Sequence, residues 1–164
     1  MFNSLQIKDW RHECLDYSGR IYSVEISVRN LGATRFEMTA RGHQVLSDQP
    51  LDNNGTDSAM TPPELFLSAL GACAAYYAEE YLRARSLPDE DLVIRVAGEK
   101  GDKPARLVSL RIEVIAPGLT QRHRDGLHRA VDACLLKHTL NKPPQMEVTV
   151  VSAGKVEEPE LANA

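Results

Sequence analysis

The chain lacks most of the features that assign a sequence to a class at sight. It has no basic excess: 19 Lys and Arg stand against 23 Asp and Glu, for a formal charge of -4 and a pI of about 5.7. No nucleic-acid partner is expected from that balance. No apolar run approaches the roughly 20 residues of a membrane-spanning helix, so no membrane partner is expected either. The opening Met1-Phe2-Asn3-Ser4-Leu5-Gln6 lacks the basic-then-apolar pattern of a secretory leader, and a cytoplasmic address follows. Cysteine is scarce, with three in the whole chain. In a reducing compartment these are free thiols, transient disulfides or metal ligands rather than structural bridges. There is no phosphate-binding glycine loop, no serine nucleophile elbow and no histidine–glutamate metalloprotease motif. Internal repeats and low-complexity core segments are also missing.

What is present reads as one domain. The 164 residues are 43% hydrophobic and 26% charged, ordinary for a globular chain and long enough to bury a core without staples. Residues 1–19 have no clear pattern. Residues 20–152 form the expected domain, and residues 153–164 are expected to be a disordered, acidic tail.

Alternation of apolar and polar residues predicts strands over Arg20–Asn30, with Val24, Ile26 and Val28 on one face, and over Thr34–Ala40, with Phe36 and Met38 inward. Leu31-Gly32-Ala33 is the turn between them. His43–Ser47 adds a third strand after Gly42, giving an N-terminal antiparallel meander. Asp48–Met60 is rich in Asp, Asn, Gly and Pro and reads as a loop. Thr61-Pro62-Pro63-Glu64 matches a capping box with proline at the first helical position. The helix it opens runs to about Ser86 and carries Gly71 and five alanines between Ala69 and Ala78. Small residues let other backbone approach closely, so this helix is expected to be central.

A strand pair follows, Asp91–Gly98 and Arg106–Ala116, joined by the polar turn Glu99–Ala105. Thr120 is placed to cap a second helix reaching about His138, with Gly126 a weak point of about 1 kcal/mol. Gln145–Ser152 alternates and is expected to be a last strand. The fold class is therefore α+β.

Two cysteines stand out. Cys73 shares a face of the first helix with Phe66, Leu70 and Tyr77, and Cys134 shares a face of the second with Leu127, Val131 and Leu135. One cysteine on such a face is ordinarily a small packing residue. Two of them, 61 residues apart on two apolar helix faces, could do redox chemistry together. Cys73 lies too far from its helix start for the dipole to help, and Cys134, in the last turns of the expected second helix, would have the dipole opposing a thiolate. An activated thiolate then needs a cation from elsewhere, most plausibly an arginine. On this basis Cys73 reacts first and Cys134 resolves.

Arg35 is the leading cation, with Arg29 and Arg41 as rivals on the meander; each could equally be a solvated strand residue. Glu64 is either the capping-box carboxylate or the acid that holds such an arginine. His138 is one turn past Cys134, and the two could join Cys73 as metal ligands, but the rest of a ligand spacing is absent. His138 is otherwise a helix-end residue, His123 and His128 belong to a solvated face, and Cys14 has no assigned role.

The run Thr61-Pro62-Pro63-Glu64-Leu65-Phe66-Leu67-Ser68-Ala69-Leu70-Gly71-Ala72-Cys73 resembles the signature helix of the OsmC/Ohr family. The order that follows is similar too: strand pair, Pro117-Gly118 turn, a helix bearing Ala130-Val131-Asp132-Ala133-Cys134, and a final strand. The resemblance spans about residues 20–152. It implies an OsmC-like, intertwined α+β homodimer with two active sites at the subunit boundary. It implies reduction of organic hydroperoxides: Cys73 attacks the peroxide, its sulfenic acid condenses with Cys134 to a disulfide, and a dithiol reductant, lipoyl in the family, restores both thiols. No metal, haem or flavin cofactor is implied. In Ohr-type members the arginine-pairing acid directly follows the helix-starting proline; here Pro63 holds that place and Glu64 is shifted by one, as expected of a divergent OsmC-like branch. The competing expectation is a non-catalytic dimer that holds a small apolar ligand, with the cysteines as core packing.

Overall fold

The computed structural model describes the backbone at residues 14–15 and 21–22, and residues 24–152 in full. The expectations for the opening segment, including Cys14's surroundings, and for the tail after Ser152 lie outside the described residues.

Two short strands, β1 (Cys14–Leu15) and β2 (Ile21–Tyr22), pair antiparallel. A three-stranded antiparallel meander follows in the order β3 (Ser27–Gly32), β4 (Arg35–Ala40), β5 (His43–Ser47). Its first strand is shorter than the predicted Arg20–Asn30: residues 24–26 precede it unpaired. The first turn falls at Ala33–Thr34, later than expected. Val24, Ile26, Val28 and Leu31 are exposed, so the apolar stripe read from the sequence faces no part of this chain's core.

A long loop then returns the chain to the central helix. Its anchor is Asp48, a fully buried carboxylate. Oδ1 accepts from Thr34 Oγ1 and the Gln49 amide, each at 2.8 Å. Oδ2 accepts from Thr56 Oγ1 at 2.6 Å, Ser58 Oγ at 2.9 Å, and the amides of Thr56 (3.0 Å) and Ser58 (3.1 Å). A buried charge is tolerated only when its lone pairs are satisfied in this way. Gly55 closes the loop: a Cβ there would fall 1.7 Å from the Gln49 carbonyl oxygen, so no other residue fits without moving backbone. The Asp48 amide donates to Met60 O at 3.3 Å, tying the loop's two ends together just before the helix.

Helix α1 (Pro62–Arg83) is 22 residues long, about 33 Å. The capping box forms as predicted: the Glu64 carboxylate accepts from the Thr61 amide at 2.7 Å and the Thr61 hydroxyl at 2.8 Å. Strands β6 (Val93–Asp102) and β7 (Ala105–Ile115) form one hairpin, paired from Val93–Ile115 to Asp102–Ala105. The connection is only Lys103-Pro104, because the strands continue through residues expected to be turn.

The second helix is not one piece. Helix α2 (Gln121–Asp132) ends at Ala133, and Cys134 leads a separate α3 (Leu135–Asn141). Cys134 adopts φ -56° and ψ 128°, which breaks the helical hydrogen-bond run that the periodicity alone would have continued. The predicted last strand is also overturned. Residues 145–152 pair with nothing among the described residues, and Met146, Val148 and Val150 are 90, 88 and 91% exposed. Alternation marks a strand's two faces but supplies no neighbour to hydrogen-bond.

The core lies between α1, α2 and one face of the β6–β7 hairpin. Leu70, Ala74, Ala78 and Leu82 form the buried stripe of α1, stepping by four. Ala74 and Ala78 meet Leu127 and Val131 of α2, and Ile94, Ile112 and Val114 close the third side. Each fully buried Leu or Val contributes about 1.5–3 kcal/mol. The buried stripe is displaced from the expected one: Cys73 and Tyr77 are half-buried at its margin, and Phe66 is exposed.

The hydrogen bonds to Asp48, from Thr56 Oγ1 first, hold its pKa far below the ordinary carboxylate value. A depressed folded-state pKa gives stability that is complete above the unfolded value, about 3.9, and is lost as pH falls below it. Urea midpoints measured from pH 6 down to pH 2 should therefore fall steeply in the wild type. Asp48→Asn should be less stable at pH 6 and show a flatter acid limb; an unchanged slope would remove Asp48 from this role.

Candidate functional site

Cys73 sits in the middle of α1, half-buried, and Cys134 sits in the break between α2 and α3, with no exposed surface. Both are free thiols, and the packing of α1 on α2 and α3 brings them together. Cys73 is near enough to Cys134 to act on its thiol. Burial, first, and the hydrogen bond to Cys73, second, push the Cys134 thiol above its ordinary pKa. The backbone amides of Lys137 and Leu136, at the start of α3, pull the other way without closing a regular cap. The sequence expectation placed Cys134 in the adverse C-terminal turns of a long helix. In the structure it precedes a helix start, so burial rather than the dipole keeps it protonated.

The break is braced by polar contacts. The Asp132 carboxylate takes the Lys137 ammonium across it, and that hydrogen bond is the largest of the effects lowering the Asp132 pKa. His128 lies 3.3 Å from the other Asp132 oxygen. The Cys134 carbonyl accepts from the His138 amide at 2.9 Å, and the His138 side chain is exposed. Among the described residues no group of three His, Cys, Asp or Glu side chains is arranged to hold a metal ion.

Glu64 is occupied by its cap. The Thr61 amide, then the Thr61 hydroxyl, lowers its pKa. It lies more than two turns of α1 before Cys73. Arg35 is exposed at the start of β4, and no described contact joins it to either thiol. Arg29 faces Glu37 across β3 and β4, with the ion pair at 3.1 Å. Within the chain, then, the two cysteines meet, and the described contacts connect neither Arg35 nor Glu64 to them.

A cavity of about 560 Å3 adjoins α1 on another side. Leu67, Ala75, Leu92, Ile94 and Val96 give it apolar walls, with Met60, Glu64 and Ser68 also lining it. At 3.6 residues per turn Cys73 lies on the opposite side of the helix from Gly71 and Ala75, and it is not among the walls. The sequence reading missed this cavity because its walls come from a helix and a strand that no local pattern links.

Residues 55–149, more than half the chain, match the family model described as OsmC-like protein, and the chain is a member of that family. An uncharacterized protein of Mycobacterium tuberculosis is 28% identical over 138 residues, covering 79% of this chain and 98% of its own. Among solved structures, a putative osmotic stress induced and detoxification response protein from Psychrobacter arcticus superposes with a TM-score of 0.65 at 17% identity, over 70% of this chain and 85% of that one. The OsmC like protein from Mycoplasma pneumoniae gives 0.61 at 19% identity, over 74% and 89%. The organic hydroperoxide resistance protein OhrB of Bacillus subtilis gives 0.55 at 15% identity, over 74% and 93%. At these identities the superpositions establish a shared fold.

The difference in exposure has a direct consequence. In the folded protein at pH 8, an aromatic disulfide reagent should modify Cys73 at least about tenfold faster than Cys134, read by mass spectrometry of peptides. In 6–8 M urea, roughly, the two rates should converge; equal rates in the native state would contradict the burial of Cys134.

Proposed function

We propose that this protein is a cysteine peroxidase acting on organic hydroperoxides. The observation that carries it is the contact between one reachable thiol and one buried thiol. Cys73, as thiolate, attacks the peroxide; the O–O bond breaks, the alcohol leaves with a proton, and Cys73 becomes a sulfenic acid. The Cys134 sulfur then attacks the Cys73 sulfur, water leaves, and a disulfide forms. A dithiol, such as a lipoyl group on a protein, reduces that disulfide by exchange and leaves as its own cyclic disulfide. Two electrons thus pass from the dithiol to the peroxide. Burial, first, holds Cys134 protonated, which suits it to the resolving rather than the attacking role.

The cation for Cys73 is proposed to be Arg35, delivered across a subunit boundary, with Arg29 the competitor. Glu64 would steady that arginine while keeping its cap. A homodimer is favoured by the apolar surface the chain leaves open. Val24, Ile26 and Val28 before and along β3, Phe66 and Tyr76 on α1, and the alternating Met146, Val148 and Val150 are all exposed. A second copy offers those last residues the strand neighbour that one chain does not. The setting is a reducing, cytoplasmic one, and the membership of a family with hydroperoxide resistance proteins among its structural relatives is consistent with the chemistry.

A second reading, a non-catalytic module for a small apolar ligand, is favoured by the cavity beside Gly71, which neither thiol lines. Thiol counting separates the two. One equivalent of cumene hydroperoxide should consume two thiols per chain rapidly, with full recovery by dithiothreitol. Cys73→Ser should abolish turnover, and Cys134→Ser should accumulate a sulfenic acid that dimedone traps. Slow, unselective thiol loss would favour the ligand-binding reading, and activity retained in Cys73→Ser would reverse the two cysteines' roles.

The dimer is tested separately. Light scattering on the eluting wild type should give twice the chain mass of 18.2 kDa. The double substitution Val148→Asp, Val150→Asp should shift it toward monomer, since a buried charge without a partner opposes association. A dimer of unchanged stability would exclude that segment from the interface.

A further inference from the structure

We propose that the cleft between α1 and α2 binds a small molecule carrying a phosphate group. The cleft has a volume of about 690 Å3 and lies at the far end of the helix pair from the loop anchored by Asp48. One side is Tyr81, in the last turn of α1, and Arg85, just past that helix's end; the α2 side carries Arg122, His123, Gly126 and Arg129. Arg122, Gly126 and Arg129 follow steps of four and three, so they share one stripe of α2. Tyr81 is eight residues along α1 from Cys73, about 12 Å of helix rise, and neither cysteine lines the cleft.

Three arginines therefore line one cleft on a chain whose net charge is -4. The arginines at positions 29, 83 and 95 each face a glutamate. Among the described residues no carboxylate pairs with Arg85, Arg122 or Arg129. Like charges lining one cleft repel, and a multiply charged anion among them offsets the repulsion.

The cleft is also organised. Arg85 lies 3.9 Å above the centre of the Tyr81 ring and donates to the Tyr81 carbonyl at 3.2 Å, which fixes its plane. The Tyr81 hydroxyl is 3.4 Å from His123 Nδ1. Gly126 makes that placement possible: a Cβ there would fall 2.0 Å from the Tyr81 hydroxyl oxygen. The glycine that weakens α2 therefore gives the cleft its tyrosine floor. A planar guanidinium held by stacking suits the paired oxygens of a phosphate. The cleft is larger than bare phosphate needs, and its size falls in the range of small-molecule sites.

Calorimetric titration of the full chain with pyrophosphate, at low and at physiological salt, tests this. One site per chain is expected. Arg122→Ala combined with Arg129→Ala should weaken binding at least about tenfold, the loss expected from removing charge-assisted hydrogen bonds. Both side chains are exposed, so the fold should persist, and circular dichroism checks that. Arg111→Ala, on the exposed face of β7, should bind like the wild type. Absence of binding, equal affinity in the double variant, or citrate binding as tightly as pyrophosphate would overturn the assignment of a phosphate site.

Discussion

The close approach of α1 to α2 is the constraint on which the rest depends. Ala74 and Ala78 present almost nothing beyond backbone, so Leu127 and Val131 can settle directly against the central helix. Larger residues there would push α2 outward, and the segment that follows it would move with it. Cys134 comes only two residues after the end of α2. Its contact with Cys73 is therefore set by the alanine stripe rather than by either cysteine. The tyrosine floor of the cationic cleft depends on the same approach, with Gly126 doing for Tyr81 what the alanines do for Leu127.

Burial distinguishes two chemically identical groups. Cys134 has no contact with water, and the loss of hydration disfavours its thiolate more than the nearby amides of α3 favour it. Cys73 keeps part of its surface exposed. The break before Cys134 matters here because it replaces the end of one helix by the start of another, with Asp132 and Lys137 bracing the bend.

The loop before α1 is a polar counterpart to this apolar core. Asp48 gathers Thr34, Thr56 and Ser58 onto one carboxylate and so fastens the turn before Arg35 to the segment that leads into Glu64. The meander otherwise has little apolar contact with the helices, and its own apolar stripe remains open. Such a chain is built with surface to spare, which is why assembly and activity are coupled in the proposed function.

Local chemistry was legible from the residues alone. Thr61, Pro62 and Glu64 specify a helix start, because a cap is decided within one turn of chain. Alternation over Thr34–Ala40 marks a strand that forms at Arg35–Ala40, the short strand expected at His43–Ser47 forms there, and the cysteine-bearing helix carries the family resemblance that the matched residues 55–149 establish. What needed the tertiary structure was everything set by contacts distant in sequence. The periodicity of Leu127, Val131 and Leu135 runs on through Cys134, whereas the folded backbone leaves the helical conformation there. The alternation of Met146, Val148 and Val150 cannot say whether a neighbouring strand exists within the chain. The approach of Cys73 to Cys134, the hydrogen bonds that Thr34, Thr56 and Ser58 side chains make to Asp48, and the cationic cleft each join residues well apart in sequence. Sequence fixes which groups are available and what each costs to bury; only the folded chain decides which of them touch.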